Sequence, residues 1–194
     1  MHYKEAENWV FAKLAHELED VLIYHDIKHT ADVVRAADRL CYLEGVSKHD
    51  TIMVRTAALF HDIGFCEQYM DNEELAAGIA SEMLPQFGYS PEEVATIGQM
   101  ILATRVPHHP YNKLDEIICD ADLDYLGRDD FHPIADSLKV ELMHYGIIKT
   151  DKQWDEIQVK FFNLHRYFTP SAIRLRQVKK AAHLQEIKSR LSAY

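Results

Sequence analysis

Glycine and proline, the residues that most readily turn a chain, occur only seven and six times in 194 residues. They stand at helical rather than hairpin spacing, so the stretches between them must run mostly as helices. From Lys4 to about Leu22, apolar Trp9, Val10, Leu14, Leu18, Val21 and Leu22 recur at three and four residues and draw one amphipathic stripe. A second helix is predicted from about His29 to Leu43, stopping at Gly45. Ser47 with Asp50 three residues on resembles a capping box, opening a third helix that carries Met53, Ala57, Ala58 and Phe60 to an end near Gly64. Asn72 is expected to cap a helix ending before Gly88. Ser90-Pro91 with Glu93 opens another, proline standing where its missing N–H is harmless. Further helices are predicted near Asp115 to Asp124, Phe131 to Tyr145, Thr150 to Phe168 and Thr169 to about Leu191. With no repeat, low-complexity segment or Gly/Ser-rich linker, the expectation is an all-α chain forming one domain over residues 1–194.

Charge narrows the partners. The chain carries 21 Lys+Arg against 31 Asp+Glu, a net charge of −10, which argues against broad binding to nucleic acid or anionic membranes. A phosphate-binding site has to be built locally. The opening MHYKEAENWV has no apolar run behind its charges, and no stretch of about 18 apolar residues follows, so a soluble, cytoplasmic chain is expected. Cys41, Cys66 and Cys119 are odd in number and widely spaced, as reduced thiols would be. Residues 171–194 carry Arg174, Arg176, Lys179, Lys180, Lys188 and Arg190 against Glu186 alone, +5 in a chain of −10 overall. No aromatic residue lies between those cations to stack on bases. The expectation is a helix whose apolar stripe, Ile173, Val178, Ala181, Leu184, Ile187 and Leu191, docks on the acidic body or on a second subunit of a homo-oligomer.

Twelve histidines direct the search for chemistry, since histidine is the commonest metal ligand. His-Asp dipeptides occur three times where 12 His and 16 Asp predict about one by chance. His49-Asp50 lies in a charged helix start, where Asp50 complements the helix dipole. His61-Asp62 instead ends the apolar segment Thr56-Ala57-Ala58-Leu59-Phe60 and precedes Ile63-Gly64. Two polar groups thus arrive where a helix leaves the core, and a divalent cation would satisfy both. A loosened terminal turn also lets adjacent side chains converge. His29, opening the second helix, is the third candidate ligand. Asp122 is the fourth: Ile118 four residues before and Leu126 four after make it the inward carboxylate of Asp120, Asp122 and Asp124. Imidazoles and carboxylates of this kind accept Mn, Fe, Co, Ni, Mg or Zn.

His29, His61-Asp62 in an Ala-Leu-Phe-His-Asp-Ile-Gly setting, and Asp122 in Asp-Ala-Asp-Leu resemble, in order, the H…HD…D signature of the HD-domain superfamily of metal-dependent phosphohydrolases. The resemblance spans about residues 24–127, with helices of about 128–194 beyond it. It implies an all-helical HD-type bundle with a central metal site. Members resembling 5′-deoxynucleotidases and guanosine tetraphosphate hydrolases carry Glu three residues after the HD aspartate. Here Phe65 stands there and cannot transfer a proton. Gly88-Tyr89-Ser90-Pro91 looks like the Gly-Tyr-Pro segment of cyclic-di-GMP phosphodiesterases but is explained by a helix cap. Where many HD proteins place a histidine beside a glutamate, this chain has Asn72-Glu73-Glu74. Glu73 is a candidate base or second-metal ligand, or simply part of an acidic first turn; Glu67 is a weaker one. His108-His109 is either a second-metal pair or a solvated pair between prolines, and His25 a supporting rather than ligating residue. Lys28, Arg105 and Arg128 are candidate phosphate holders, each also readable as a surface charge.

The expected function is hydrolysis of a phosphate ester, of a small nucleotide or another phosphorylated metabolite, by metal-activated water. Asp62 bridges metals or orients the water, Glu73 and Lys28 assist, and no serine or cysteine nucleophile is needed. Two alternatives stand beside it: a metal- or nucleotide-sensing module with little turnover, and iron-dependent oxygenase chemistry recruiting Glu73 and His108 or His109.

Overall fold

The computed structural model describes all 194 residues and contains helices and no strands. In chain order these are α1 (Tyr3–Glu17), α2 (Ile27–Leu43), α3 (Lys48–Phe60), α4 (Asn72–Met83), α5 (Pro91–Ala103), α6 (Lys113–Asp122), α7 (Phe131–His144), α8 (Asp151–Leu164) and α9 (Pro170–Leu191). Short 3₁₀ turns lie at Ile63–Cys66, Leu84–Phe87 and Asp124–Gly127. No helix is long and apolar enough to cross a membrane.

Two apolar clusters organise the molecule. The larger joins α1 to α6 through buried residues such as Val10, Val33, Leu40, Phe60, Ile97 and Ile118. Each such side chain, fully buried, contributes about 1.5–3 kcal/mol. The smaller unites Leu126, Phe131, Trp154, Phe162 and Ile187 from α7, α8, α9 and the Asp124–Gly127 turn. Tyr24 and Leu123, from the loops entering α2 and leaving α6, belong to this second cluster. The candidate ligands His29 and Asp122 stand on the helix ends beside those two loops, so the site lies where the clusters meet.

Local capping chemistry sets several boundaries. The Ser47 side chain accepts from the Asp50 amide at 3.1 Å, and Ser90 with Glu93 forms a reciprocal capping box opening α5. Gly88 takes a left-handed turn at φ 72°, and Tyr89 behind it is buried with its hydroxyl 2.8 Å from Thr56 Oγ1. The Gly-Tyr-Ser-Pro segment therefore builds core and cap.

Elsewhere the chain departs from expectation. α1 stops at Glu17 because Leu18 is already extended, and Asp26, one residue after His25, caps α2 by accepting from Lys28 and His29 amides. Asn72 is not a cap but the first residue of α4, following Asp71 in a left-handed conformation. α8 ends at Leu164 rather than Phe168, since the Phe168 and Thr169 amides donate to buried Asp120 at 2.9 and 2.7 Å. On α9 the predicted apolar stripe docks only in part: Ile187 is buried and Leu184 packs on the second cluster, but Val178 is 84% exposed and Ile173 is exposed too, while Ala172, Lys180 and His183 are buried. This helix faces carboxylates and carbonyls, with Arg176 on Asp124, Arg190 on Asp155, and the Lys180 ammonium on the His165 carbonyl. Arg176 and Lys180 therefore turn inward, while Arg174 stays exposed.

Candidate metal centre

Three helix ends bring four side chains together. His29 sits in the first turn of α2, held there by the Asp26 cap at 2.9 Å and stacked on Tyr24 with ring centroids 4.8 Å apart. His61 and Asp62 follow the last residue of α3, and Asp122 ends α6. His61 Nδ1 lies 2.8 Å from the Ala58 carbonyl, to which it donates, so Nε2 is left as the lone-pair nitrogen facing the site.

His61 Nε2 lies 3.0 Å from Asp62 Oδ2 and 3.5 Å from Asp122 Oδ1. His29 Nε2 lies 3.3 Å from each of those oxygens and 3.3 Å from His61 Nε2. Ligands about 2.1 Å from an ion stand roughly 3.0 Å apart at octahedral right angles and about 3.4 Å apart on a tetrahedron. The observed separations fall at these values. His29, His61 and Asp62 make the tight trio, and Asp122 joins through both imidazoles, farther from Asp62.

Chemistry favours a cation as strongly as geometry does. Asp62 Oδ2 is buried and makes no hydrogen bond. Burial alone would discharge all four groups, but the adjacent carboxylates override it in the histidines, raising His29 to about 9 and His61 well above the ordinary imidazole value. The imidazoles in turn hold Asp62 and Asp122 below the carboxylate range. Two neutral imidazoles and two carboxylates carry −2, the complement of a divalent cation that would displace the protons. The residues present fit such an ion.

The three alternating aspartates have three destinations. Asp122 meets the imidazoles. Asp120 accepts the amides that begin the approach to α9, and buried Asp124 is clamped by Arg176 (2.8 and 3.1 Å) and Arg39 (2.8 Å). Of the other His-Asp pairs, His49-Asp50 stays in the exposed first turn of α3, with His49 3.5 Å from Glu93. His25 is a supporting residue, its Nδ1 2.7 Å from Glu141 Oε2 and its ring stacked 4.0 Å from Phe65. Fully buried Glu141 on α7 also accepts from the Tyr24 and His25 amides and thus anchors the loop that delivers His29. Nothing in the local sequence marks Glu141 for this.

The site opens into a cavity of about 210 Å³ that reaches between α7 and α8. His29, Asp62 and Asp122 form one end, and apolar residues such as Leu126, Leu138, Leu142, Ile157 and Phe161 form the other. Glu73 lines it, as does buried Asn72, whose Oδ1 makes no hydrogen bond. Glu67 is exposed and does not line it. His108 turns inward, with its side chain 4% exposed and Nε2 3.9 Å from Asp122 Oδ2, while His109 is exposed, so the two do not act as a pair.

None of the expected phosphate holders lines this cavity. Arg105 is paired with Glu74 at 2.5 Å and lies 3.8 Å from Glu73. Arg128 is engaged by Asp32 at 2.6 Å and Asp130 at 2.7 Å. Lys28, exposed and without an ion pair, borders a polar depression on the other flank of His29.

An all-helical bundle that gathers two histidines and two aspartates from three helix ends defines a helical domain with the residues to hold a metal ion. The HD domain family matches residues 26–124, just over half of the chain, and the chain belongs to that family. It is 36% identical over 84 residues to an uncharacterized protein of Clostridium beijerinckii, which is 42% of this chain and 53% of that protein. The chain thus spans about half the length of that curated relative. Its fold is shared by a predicted HD superfamily hydrolase from an uncultured Thermotogales bacterium, at TM-score 0.65 and 22% identity, over 99% of this chain and 92% of that one. Bacillus subtilis YpgQ, solved in complex with ADP, shares it at TM-score 0.66 and 18% identity, over 100% of this chain and 97% of that one. At these identities the likeness concerns the fold.

Proposed function

We propose that this protein is a metal-dependent hydrolase of phosphate esters. The observation that carries the reading is the convergence of His29, His61, Asp62 and Asp122, with each imidazole nitrogen 3.0–3.5 Å from the other and from both carboxylates, at the mouth of a cavity. Family membership supports it, HD domains being generally binders of divalent metals.

A divalent cation held by these four residues would supply Lewis acidity toward a phosphoryl oxygen and a more acidic bound water. The remaining work falls to the chain itself. The Ala58 carbonyl fixes the His61 tautomer, and Glu141, through His25 and two backbone amides, fixes the loop before His29. Glu73 is the one carboxylate lining the cavity besides the ligands, and therefore the side chain available to accept a proton there. Phe65, stacked on His25, closes the position at which a glutamate would otherwise stand. On the outer flank of His29, Lys28 brings an unpaired ammonium to neutralise phosphate charge.

The test compares metal content and hydrolysis of an aryl phosphate for the Mn²⁺-loaded protein, the chelator-stripped protein and Asp62→Asn. Turnover that needs metal and falls at least a hundredfold in the variant is expected. Full activity in Asp62→Asn would refute the mechanism. Metal uptake without turnover of any phosphate ester would leave a sensing module in its place.

A further inference from the structure

The cavity beside the four donors is walled mainly by apolar side chains and holds no lysine or arginine, and we propose that its apolar part receives the alcohol portion of the substrate, which is an alkyl or aryl group rather than a nucleoside. This rests on the hydrolytic reading above and specifies its substrate. Water adds to phosphorus, the bond from phosphorus to the alcohol oxygen breaks, and the alcohol leaves with a proton, giving inorganic phosphate and a free apolar alcohol.

Size and lining both point this way. A cavity of about 150 Å³ walled by Leu, Ile and Phe holds benzene. Here about 210 Å³ is walled by Leu126, Phe131, Leu138, Leu142, Ile157 and Phe161, enough for a ring or a short chain. Gln158 is the amide on that wall, and its Oε1 is already approached by Arg190 at 3.3 Å. Ribose hydroxyls and base nitrogens placed against these six apolar side chains would lose water without gaining partners, each lowering affinity on the order of tenfold.

Charge on the other flank agrees. The polar depression beyond His29 contains Lys28, Arg35 and Arg128 together with Asp26, Asp32 and Asp130. Arg35 is held by Asp32 at 3.1 Å, and Arg128 by Asp32 and Asp130. Lys28 alone is unpaired, sufficient for one phosphate group and too little for a polyphosphate. Tyr24, His29 and Tyr125 line both spaces as the wall between them, and Asp62 and Asp122 line the apolar cavity, so a phosphate on the four donors sits at the end of that cavity.

The experiment measures calorimetric binding of ethyl-, butyl- and hexylphosphonate and of AMP to the full-length, Mn²⁺-loaded protein. Burial of each methylene strengthens binding about fourfold, so hexylphosphonate should bind on the order of a hundredfold more tightly than ethylphosphonate, and more tightly than AMP. Hexyl binding within about threefold of ethyl, or AMP binding more tightly than hexyl, overturns the proposal. Filling the cavity by Leu138→Phe should remove the hexyl advantage and spare ethyl binding. Ile157→Phe serves if the first variant loses its helical spectrum, and an unchanged chain-length trend in a folded variant also overturns the assignment. Hydrolysis of ethyl and hexyl phosphate is followed separately. A chain-length trend in binding without hydrolysis keeps the apolar site and removes the hydrolase reading. Hydrolysis with flat binding does the reverse.

Discussion

Gly64 lies where the turn after His61-Asp62 passes under the start of α4. A Cβ built on it would stand 2.1 Å from the Asn72 carbonyl oxygen and 2.8 Å from its carbon, where ordinary contact begins at 3.4 Å. Both atoms are backbone, so no side-chain rotation relieves the clash, and either the turn or the first residues of α4 must move by about an ångström. Overpacking of this kind destabilises by about 1–3 kcal/mol. At about 2 kcal/mol, Gly64→Ala should lower Tm by about 4–8 °C in a chain of this length. Gly78→Ala is the same chemical change inside α4, where a Cβ meets nothing within 4 Å. There the lower backbone entropy of alanine in the unfolded chain should stabilise by about 0.5–1 kcal/mol and raise Tm by about 1–4 °C. Thermal and urea unfolding of the metal-free variants, followed by far-ultraviolet circular dichroism, keeps ligand linkage out of the comparison. If Gly64→Ala is as stable as the parent, or the two alanines shift Tm in the same direction, the close approach that sets Asn72 and Glu73 against the site is not real.

Asp122→Asn should lower metal affinity at least tenfold, whereas Asp124→Asn should retain metal yet lose about 3 kcal/mol, because Arg39 and Arg176 lose the carboxylate that pairs them; element analysis after dialysis and urea unfolding distinguish the two. His49→Ala should leave metal content unchanged, and loss of metal from the folded variant would show that the wrong His-Asp pair has been chosen. Burial, reinforced by the nearby Lys180 ammonium, pushes His165 down to about 3. Below about pH 6.5 the unfolded chain protonates this ring while the folded chain does not, so stability present above that pH is lost as pH falls toward 3. The contribution at pH 5 is on the order of 1–2 kcal/mol. His165→Phe should therefore flatten the fall in urea midpoint between pH 6.5 and 5, and an unchanged slope would count against it.

The convergence of His29, His61, Asp62 and Asp122 was legible because each carries a local signal: polar residues closing an apolar run at His61-Asp62, a histidine opening a helix at His29, and a core stripe through Asp122. Caps at Ser47 and Ser90 were legible for the same reason. Helix ends fixed by distant partners were not. α8 stops where Asp120 takes two amides, a pairing across 48 and 49 residues, and no residue near Leu164 announces it. The cavity was equally hidden. Leu138 and Leu142, four residues apart on α7, read as ordinary core, and whether their face is filled or left open depends on how α8 packs against it.

The acidic composition has a meaning that the charge count alone conceals. Reading a net charge of −10 as an argument against polyanionic partners treats the carboxylates as an outer surface. Yet Asp120, Asp124, Glu141 and Asp155 are each no more than 1% exposed. Asp120 holds the backbone leading into α9, Asp124 and Asp155 hold Arg176 and Arg190 of α9, and Glu141 of α7 holds the loop before His29. Buried carboxylates are tolerated only with such partners, and removing one partner is more destabilising than the pair is stabilising. Asp120, Asp124 and Glu141 therefore fasten the C-terminal helices to the half that carries the four donors, and Asp155 fastens α8 to α9. The basic α9 answers that internal acidity through Arg176 and Arg190, which reach carboxylates of the body from a helix whose Val178 lies outside.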